Sequence, residues 1–127
     1  MSAGEGERAI MNRSAVREIQ GIGRFKFREG ELEEFKRLSA QLMEIVRSQD
    51  TGTLQYEIYF NEDQSDCIVL ERYRDSEALV EHAGHLGDLG RAIPGLVSSE
   101  LLGEPSADVR AQLVGSGVRL FTPFLSL

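Results

Sequence analysis

The stretch Thr51–Leu89 constrains the fold more than any other part of the chain. Two runs, Leu54–Phe60 and Cys67–Arg72, flank the polar turn Asn61-Glu62-Asp63-Gln64-Ser65-Asp66, the pattern of a β-hairpin. The second run leads into Glu71-Arg72-Tyr73. Asp75 then supplies an N-cap for a helix whose apolar stripe is Leu79, His82/Ala83, Leu86 and Leu89. A hairpin that feeds directly into a helix leaves few topologies open. It also places one ionisable group, His82, on the core side of that helix, three residues after Leu79.

The flanking segments complete the pattern. Ile19–Phe27 alternates as a strand, with Ile19, Gly21, Gly23, Phe25 and Phe27 on one parity. Its Gly-x-Gly lacks the third glycine and the strand-to-helix turn of a nucleotide-binding loop, so it points to close packing of backbone against a neighbour or a ligand. Glu29–Ser48 is predicted as a helix from Leu32, Phe35, Leu38, Leu42, Ile45 and Val46, with acidic residues in its first turns where they suit the helix dipole. The second helix is expected over Ser76 to about Ile93, with a break near Gly87 because Gly84, Gly87 and Gly90 weaken it. Leu96–Gly103 reads as a strand, Ala107–Val114 as a third helix and Val118–Phe121 as a short fifth strand.

The order β-α-β-β-α-β is that of the split βαβ, ferredoxin-like α+β fold, an antiparallel sheet with helices on one face. Three segments are expected: a flexible lead-in over 1–17, the folded domain over 18–103, and a C-terminal helix and tail over 104–127 that packs on the domain or on a partner. Pairing Asn61 with Asp66 sets Leu54, Tyr56, Ile58 and Phe60 on one face with Cys67, Val69, Glu71 and Tyr73. The other face carries Ile68 and Leu70, and one helix layer cannot cover both. A symmetric homodimer through the open sheet face would cover it.

Composition removes several function classes. A formal charge of -7 spread along the chain lacks the basic footprint that nucleic acid or anionic membrane binding requires. There is no run of 18 apolar residues to span a membrane and no apolar core to an N-terminal secretory signal, so the expected location is the cytoplasm. The single cysteine, Cys67, forms no intrachain disulfide and reads as a small core hydrophobe.

At this point the residues resemble the antibiotic biosynthesis monooxygenase (ABM) superfamily, dimeric α/β-barrel proteins that include quinol monooxygenases. The resemblance rests on Phe25-Lys26-Phe27-Arg28-Glu29-Gly30 leading into a helix, Thr51-Gly52-Thr53-Leu54-Gln55-Tyr56-Glu57, Leu70-Glu71-Arg72-Tyr73, and Ser76-Glu77-Ala78 followed by Glu81-His82. It implies a homodimer with a substrate cavity between sheet and helices, and oxidation of a small aromatic, quinol-type substrate by molecular oxygen with no metal, flavin or other cofactor. The chain departs from the family in one respect. The second histidine that many members carry about five residues after the first is here Gly87, and the second histidine of this chain is His85. Lacking any Trp, the chain also departs from the haem-degrading branch.

His82 has two readings: a hydrogen-bonded core histidine, or a general base that takes the proton a phenol must lose before it can pass an electron to oxygen. Tyr56, Glu71 and Tyr73, on the same face, are the candidate pocket residues beside it. Each also has a structural reading, as core aromatics and as a carboxylate that must be paired. His82 and His85 lack an evident third ligand, so no metal site is expected. The alternative to an enzyme is a non-catalytic dimeric α/β-barrel module that binds a small ligand or acts in stress response. A filled core around His82 would favour the module, and a cavity of roughly 300 Å3 or more with His82 in its wall would favour the enzyme.

Overall fold

The computed structural model describes residues 17–127, so the lead-in expected over 1–17 falls almost wholly outside the described residues. Five strands and three helices follow: β1 (Ile19–Lys26), α1 (Glu31–Gln49), β2 (Thr53–Phe60), β3 (Asp66–Tyr73), α2 (Ser76–Ala92), β4 (Leu96–Leu102), α3 (Ala107–Leu113) and β5 (Arg119–Phe121). The sheet order is β2-β3-β1-β4-β5, and the sheet is open rather than closed into a barrel. The first four strands are antiparallel in the ferredoxin-like order. β5 lies parallel to β4, because α3 carries the chain back across the sheet before it re-enters.

The helices begin and end where local chemistry dictates. α1 starts two residues later than its acidic run suggests. Gly30 takes the left-handed conformation at φ 85° with no side-chain cap, and Glu31 Oε1 instead accepts the Arg28 amide at 2.8 Å. α1 buries Phe35, Leu38, Ser39, Leu42 and Val46 against the sheet. Asp75 caps α2 by accepting the Ala78 amide at 2.9 Å. The expected break in α2 is at Gly87, whose φ of 47° and ψ of -130° are open to glycine alone.

The hairpin register runs from Phe60 opposite Cys67 through Ile58–Val69 to Tyr56–Glu71, as the sequence predicts. It shifts between Thr53 and Gln55, so Thr53 rather than Leu54 pairs with Tyr73. Leu54, expected on the helix-covered face, is therefore exposed.

Two apolar clusters sit at opposite ends of that face. One is built on Phe35, Cys67 and Val69 with Phe25, Phe27, Ile58 and Phe60; Phe35 meets Phe25 and Phe27 at ring-centroid distances of 5.0 and 4.9 Å. The other is built on Ile19, Leu101 and Val109 with Leu79, Leu113, Val118 and Leu120. The C-terminal unit thus packs on its own domain through α3, while Phe124 and Leu125 of the tail stay exposed. Cys67 is free and buried, and burial pushes its thiol up to about 11. Among the described residues, no helix is long and apolar enough to cross a membrane.

Candidate active site

Between the two clusters the face turns polar. Gly21 of β1 stands opposite Glu71 of β3, and Tyr56 of β2 stands opposite Glu71 from the other side. Gly21 leaves room above the Glu71 side chain: a Cβ there would make ordinary contact with it, 3.6 Å from its Cβ and 3.9 Å from Oε1. α2 crosses above and brings His82 down onto this patch. The His82 ring tilts against Tyr56 at 5.4 Å and Tyr73 at 5.1 Å between centroids.

The centre of the cluster is a residue whose importance is not evident from the sequence pattern. Asp50, just past the end of α1, is 1% exposed at its side chain and engages both histidines of the chain. His82 Nδ1 lies 2.7 Å from Asp50 Oδ2, and His85 Nδ1 lies 2.6 Å from Asp50 Oδ1. Thr53, swung inward by the register shift, donates its hydroxyl to Oδ2 at 2.7 Å. Burial alone would raise the Asp50 carboxyl, but the bonds from His85, Thr53 and His82 outweigh it and hold the group below its ordinary 3.8. Asp50 is therefore ionised and accepts the His82 Nδ1 proton. Nε2 faces the other way, on the side of Glu71, whose Oε1 is 3.7 Å away.

Gly52 makes this approach possible. A Cβ there would stand 2.5 Å from the Cβ of Ala78, so only glycine lets the Asp50–Gly52 loop lie against α2. Thr51 secures the loop by donating its amide and hydroxyl to Glu81 of the same helix at 2.8 and 3.0 Å.

His82 and Glu71 open onto a cavity of about 590 Å3 between sheet and helices. Its walls are mainly apolar (Phe25, Phe35, Leu42, Ile58, Val69, Leu86), with Tyr56 beside His82 and Arg91 and Ser99 elsewhere on the lining. Three glycines of the wall, Gly23, Gly87 and Gly90, give it part of its room. Burial, then the Glu71 and Asp50 charges, raise the Tyr56 phenol above its ordinary 10, so it stays protonated and can donate.

Of the four residues singled out from sequence, His82, Tyr56 and Glu71 share this wall. Tyr73 does not reach it. It is fully buried behind Glu71, to which it donates its hydroxyl, and burial followed by the Glu71 charge holds that hydroxyl protonated. Asp50, Glu81 and His85 bring ligand-type atoms within 4.8 Å of one another. Asp50 Oδ1 and His85 Nδ1 are committed to each other and Glu81 to Thr51, so the geometry is that of a hydrogen-bonded cluster. Asp50 sits 32 residues from His82 in sequence. Its one local signal is an acid where a helix C-terminus disfavours negative charge.

The fold and the cavity together define a ferredoxin-like α+β domain with a ligand-sized pocket and a carboxylate-fixed histidine in its wall. The chain belongs to the antibiotic biosynthesis monooxygenase family, whose model matches residues 21–87, more than half of it. No sequence among the curated proteins matches it. Among solved structures it is similar to MupZ from Pseudomonas fluorescens, at 24% identity and a TM-score of 0.75, covering 87% of this chain and 88% of that one. It is also similar to Rv0793 from Mycobacterium tuberculosis, at 23% identity and a TM-score of 0.60 over 70% of this chain and 96% of that one. SnoaB from Streptomyces nogalater, described as a cofactor-independent oxygenase, shares 19% identity with a TM-score of 0.54, over 67% of this chain and 88% of that one. These identities establish likeness of fold. The MupZ likeness spans 87% of 127 residues, about 110, more than the 103 that precede Glu104, so it extends into the C-terminal unit.

Proposed function

We propose that the protein is a cofactor-independent monooxygenase-type enzyme that oxidises a small aromatic, phenol- or quinol-type substrate with molecular oxygen, and that His82 is its proton acceptor. The observation that carries this reading is a cavity of about 590 Å3 with His82 in its wall, far more room than a filled core around a structural histidine would leave. The apolar lining suits an aromatic ring, and family membership and the likeness to SnoaB agree with the chemistry.

The chain's own residues account for the first step. Nε2 of His82 takes the proton from a substrate hydroxyl, and the imidazolium formed is held between Asp50 on Nδ1 and Glu71 near Nε2. Tyr56, kept protonated, offers a hydrogen bond to the phenolate. The electron-rich ring then reacts with oxygen at a ring C–H. Carbon gains one oxygen atom and becomes a carbonyl, the phenolate becomes the second carbonyl of a quinone, and the other oxygen atom leaves as water. The substrate supplies all the electrons, so the balance requires no added reductant. Apolar walls exclude water from the intermediate. Tyr73 acts here through Glu71, as a positioning residue.

The active form in this reading is a homodimer formed through the sheet face opposite the helices. That face carries Ile22, Leu70 and Leu102 between the Arg24–Glu100 and Arg72–Glu18 ion pairs, at 3.3 and 3.1 Å. The site lies on the other face, so each protomer keeps its own cavity. Light scattering coupled to size exclusion should return twice the chain mass, and a charge placed at Leu70 should return the monomer.

The reading is tested by oxygen uptake with metal- and flavin-free protein on a panel of reduced quinols and polyphenols. Uptake above the spontaneous rate in wild type and its loss in His82→Ala are expected. Uptake retained in the variant would remove His82 as base. Ring binding without turnover by any of the panel would favour the ligand-binding module.

A further inference from the structure

The two histidines stand three residues apart on α2 and therefore on one face, and each takes one oxygen of the same carboxylate. Their surroundings differ. The Asp50 side chain is 1% exposed and His82 5%, whereas His85 is 27% exposed and in reach of solvent. A carboxylate with a bond on each oxygen cannot turn, so the hold of His85 on Oδ1 fixes Oδ2 on His82.

We infer that His85 is a positioning residue for His82: through the shared Asp50 carboxylate it fixes the His82 ring and, by its own protonation, sets how strongly His82 holds a proton. The inference rests on the reading of His82 as the base. With His85 neutral, His82 faces the full Asp50 charge. With His85 protonated, that charge is compensated and His82 binds a proton less tightly. The two rings then titrate as a coupled pair. The other groups facing them leave this intact. His82 also meets Glu71 and Tyr73 from β3 and Tyr56 from β2, and both tyrosines stay protonated. His85 also feels Glu81, whose carboxylate is anchored by Thr51.

With only two histidines in the chain, both imidazoles can be followed by nitrogen–proton correlation spectra on the full-length protein and assigned by single variants. The test compares wild type with His85→Gln, which keeps a neutral donor, and with His82→Gln. The two wild-type midpoints should sum to less than the midpoints of the surviving rings in the two variants, by at least about 0.5 pH unit, a threefold change in proton affinity. Equal sums would overturn the inference. The wild-type spectra provide a second test that needs no variant: each ring should shift over a broadened, two-step curve, and independent one-step curves would contradict it. The acid limb of kcat/KM should move in His85→Gln by as much as the His82 midpoint, with KM unchanged. A coupled spectroscopic titration with an unmoved acid limb would leave the coupling standing and instead sink the assignment of His82 as base.

Discussion

Asp50→Asn is the substitution that separates a designed carboxylate clamp from incidental contacts. The side chain keeps its shape, but three hydrogen bonds, from His82, His85 and Thr53, lose their charged acceptor. A bond to a charged group contributes roughly 1 kcal/mol more than a neutral one, about 3 kcal/mol for the three. Asparagine also offers one acceptor oxygen in place of two, and relief from burying a charge works against both losses, so the net cost is about 2 kcal/mol, within the roughly 1–3 kcal/mol of an unsatisfied buried donor. For a domain of this size that is a fall in Tm of about 8 °C. The pH dependence follows from the depressed carboxyl. Its folded value lies below its ordinary 3.8, so its stabilisation is complete above that value and disappears as pH falls through the lower folded one. Urea unfolding of both proteins should show the full gap at pH 5 and a narrowing gap at pH 3.5 and 3. A gap below about 0.5 kcal/mol at pH 5, or one unchanged at pH 3, would refute the reasoning.

Other substitutions test the scaffold. Gly52→Ala forces a Cβ to within 2.5 Å of Ala78, so it should cost about 1–3 kcal/mol in urea unfolding and weaken the His82–Asp50 bond along with activity. Gly87→Ala should destabilise by about 1–3 kcal/mol because of its backbone angles, whereas Gly84→Ala, in open space within the same helix, should stabilise by about 0.5 kcal/mol; thermal denaturation of the pair reads both signs. Cys67, with its thiol raised to about 11, should react with a thiol reagent at neutral pH orders of magnitude more slowly in the native protein than in denaturant.

The elements of the fold were legible because each carries a local signal. The alternation of Tyr56, Ile58 and Phe60, the Asp75 cap and the glycines of α2 are properties of neighbouring residues, and register, cap and break all stand where these residues place them. The inward direction of His82 followed from its spacing to Leu79. What could not be read were features set by distant segments. Leu54 reads as core until a register shift turns it out. Tyr73 shares the parity of Glu71, but only the depth of packing decides that it supports the carboxylate from behind. Asp50-Thr51-Gly52 reads as a helix stop. Its role appears only when Gly52 meets Ala78 and the loop reaches α2. The cavity is likewise a property of several glycines on different elements, none of which announces it alone.

The central claim is that this chain, through His82, directs molecular oxygen into an aromatic substrate without a cofactor. Its most direct test is turnover of metal- and flavin-free protein under 18O2, with mass spectrometry of the product, beside His82→Ala. The account predicts one labelled atom in each product molecule, the second recovered in water, and loss of labelling above background in the variant. Product whose oxygen comes from water, or labelling equal in wild type and variant, would contradict it.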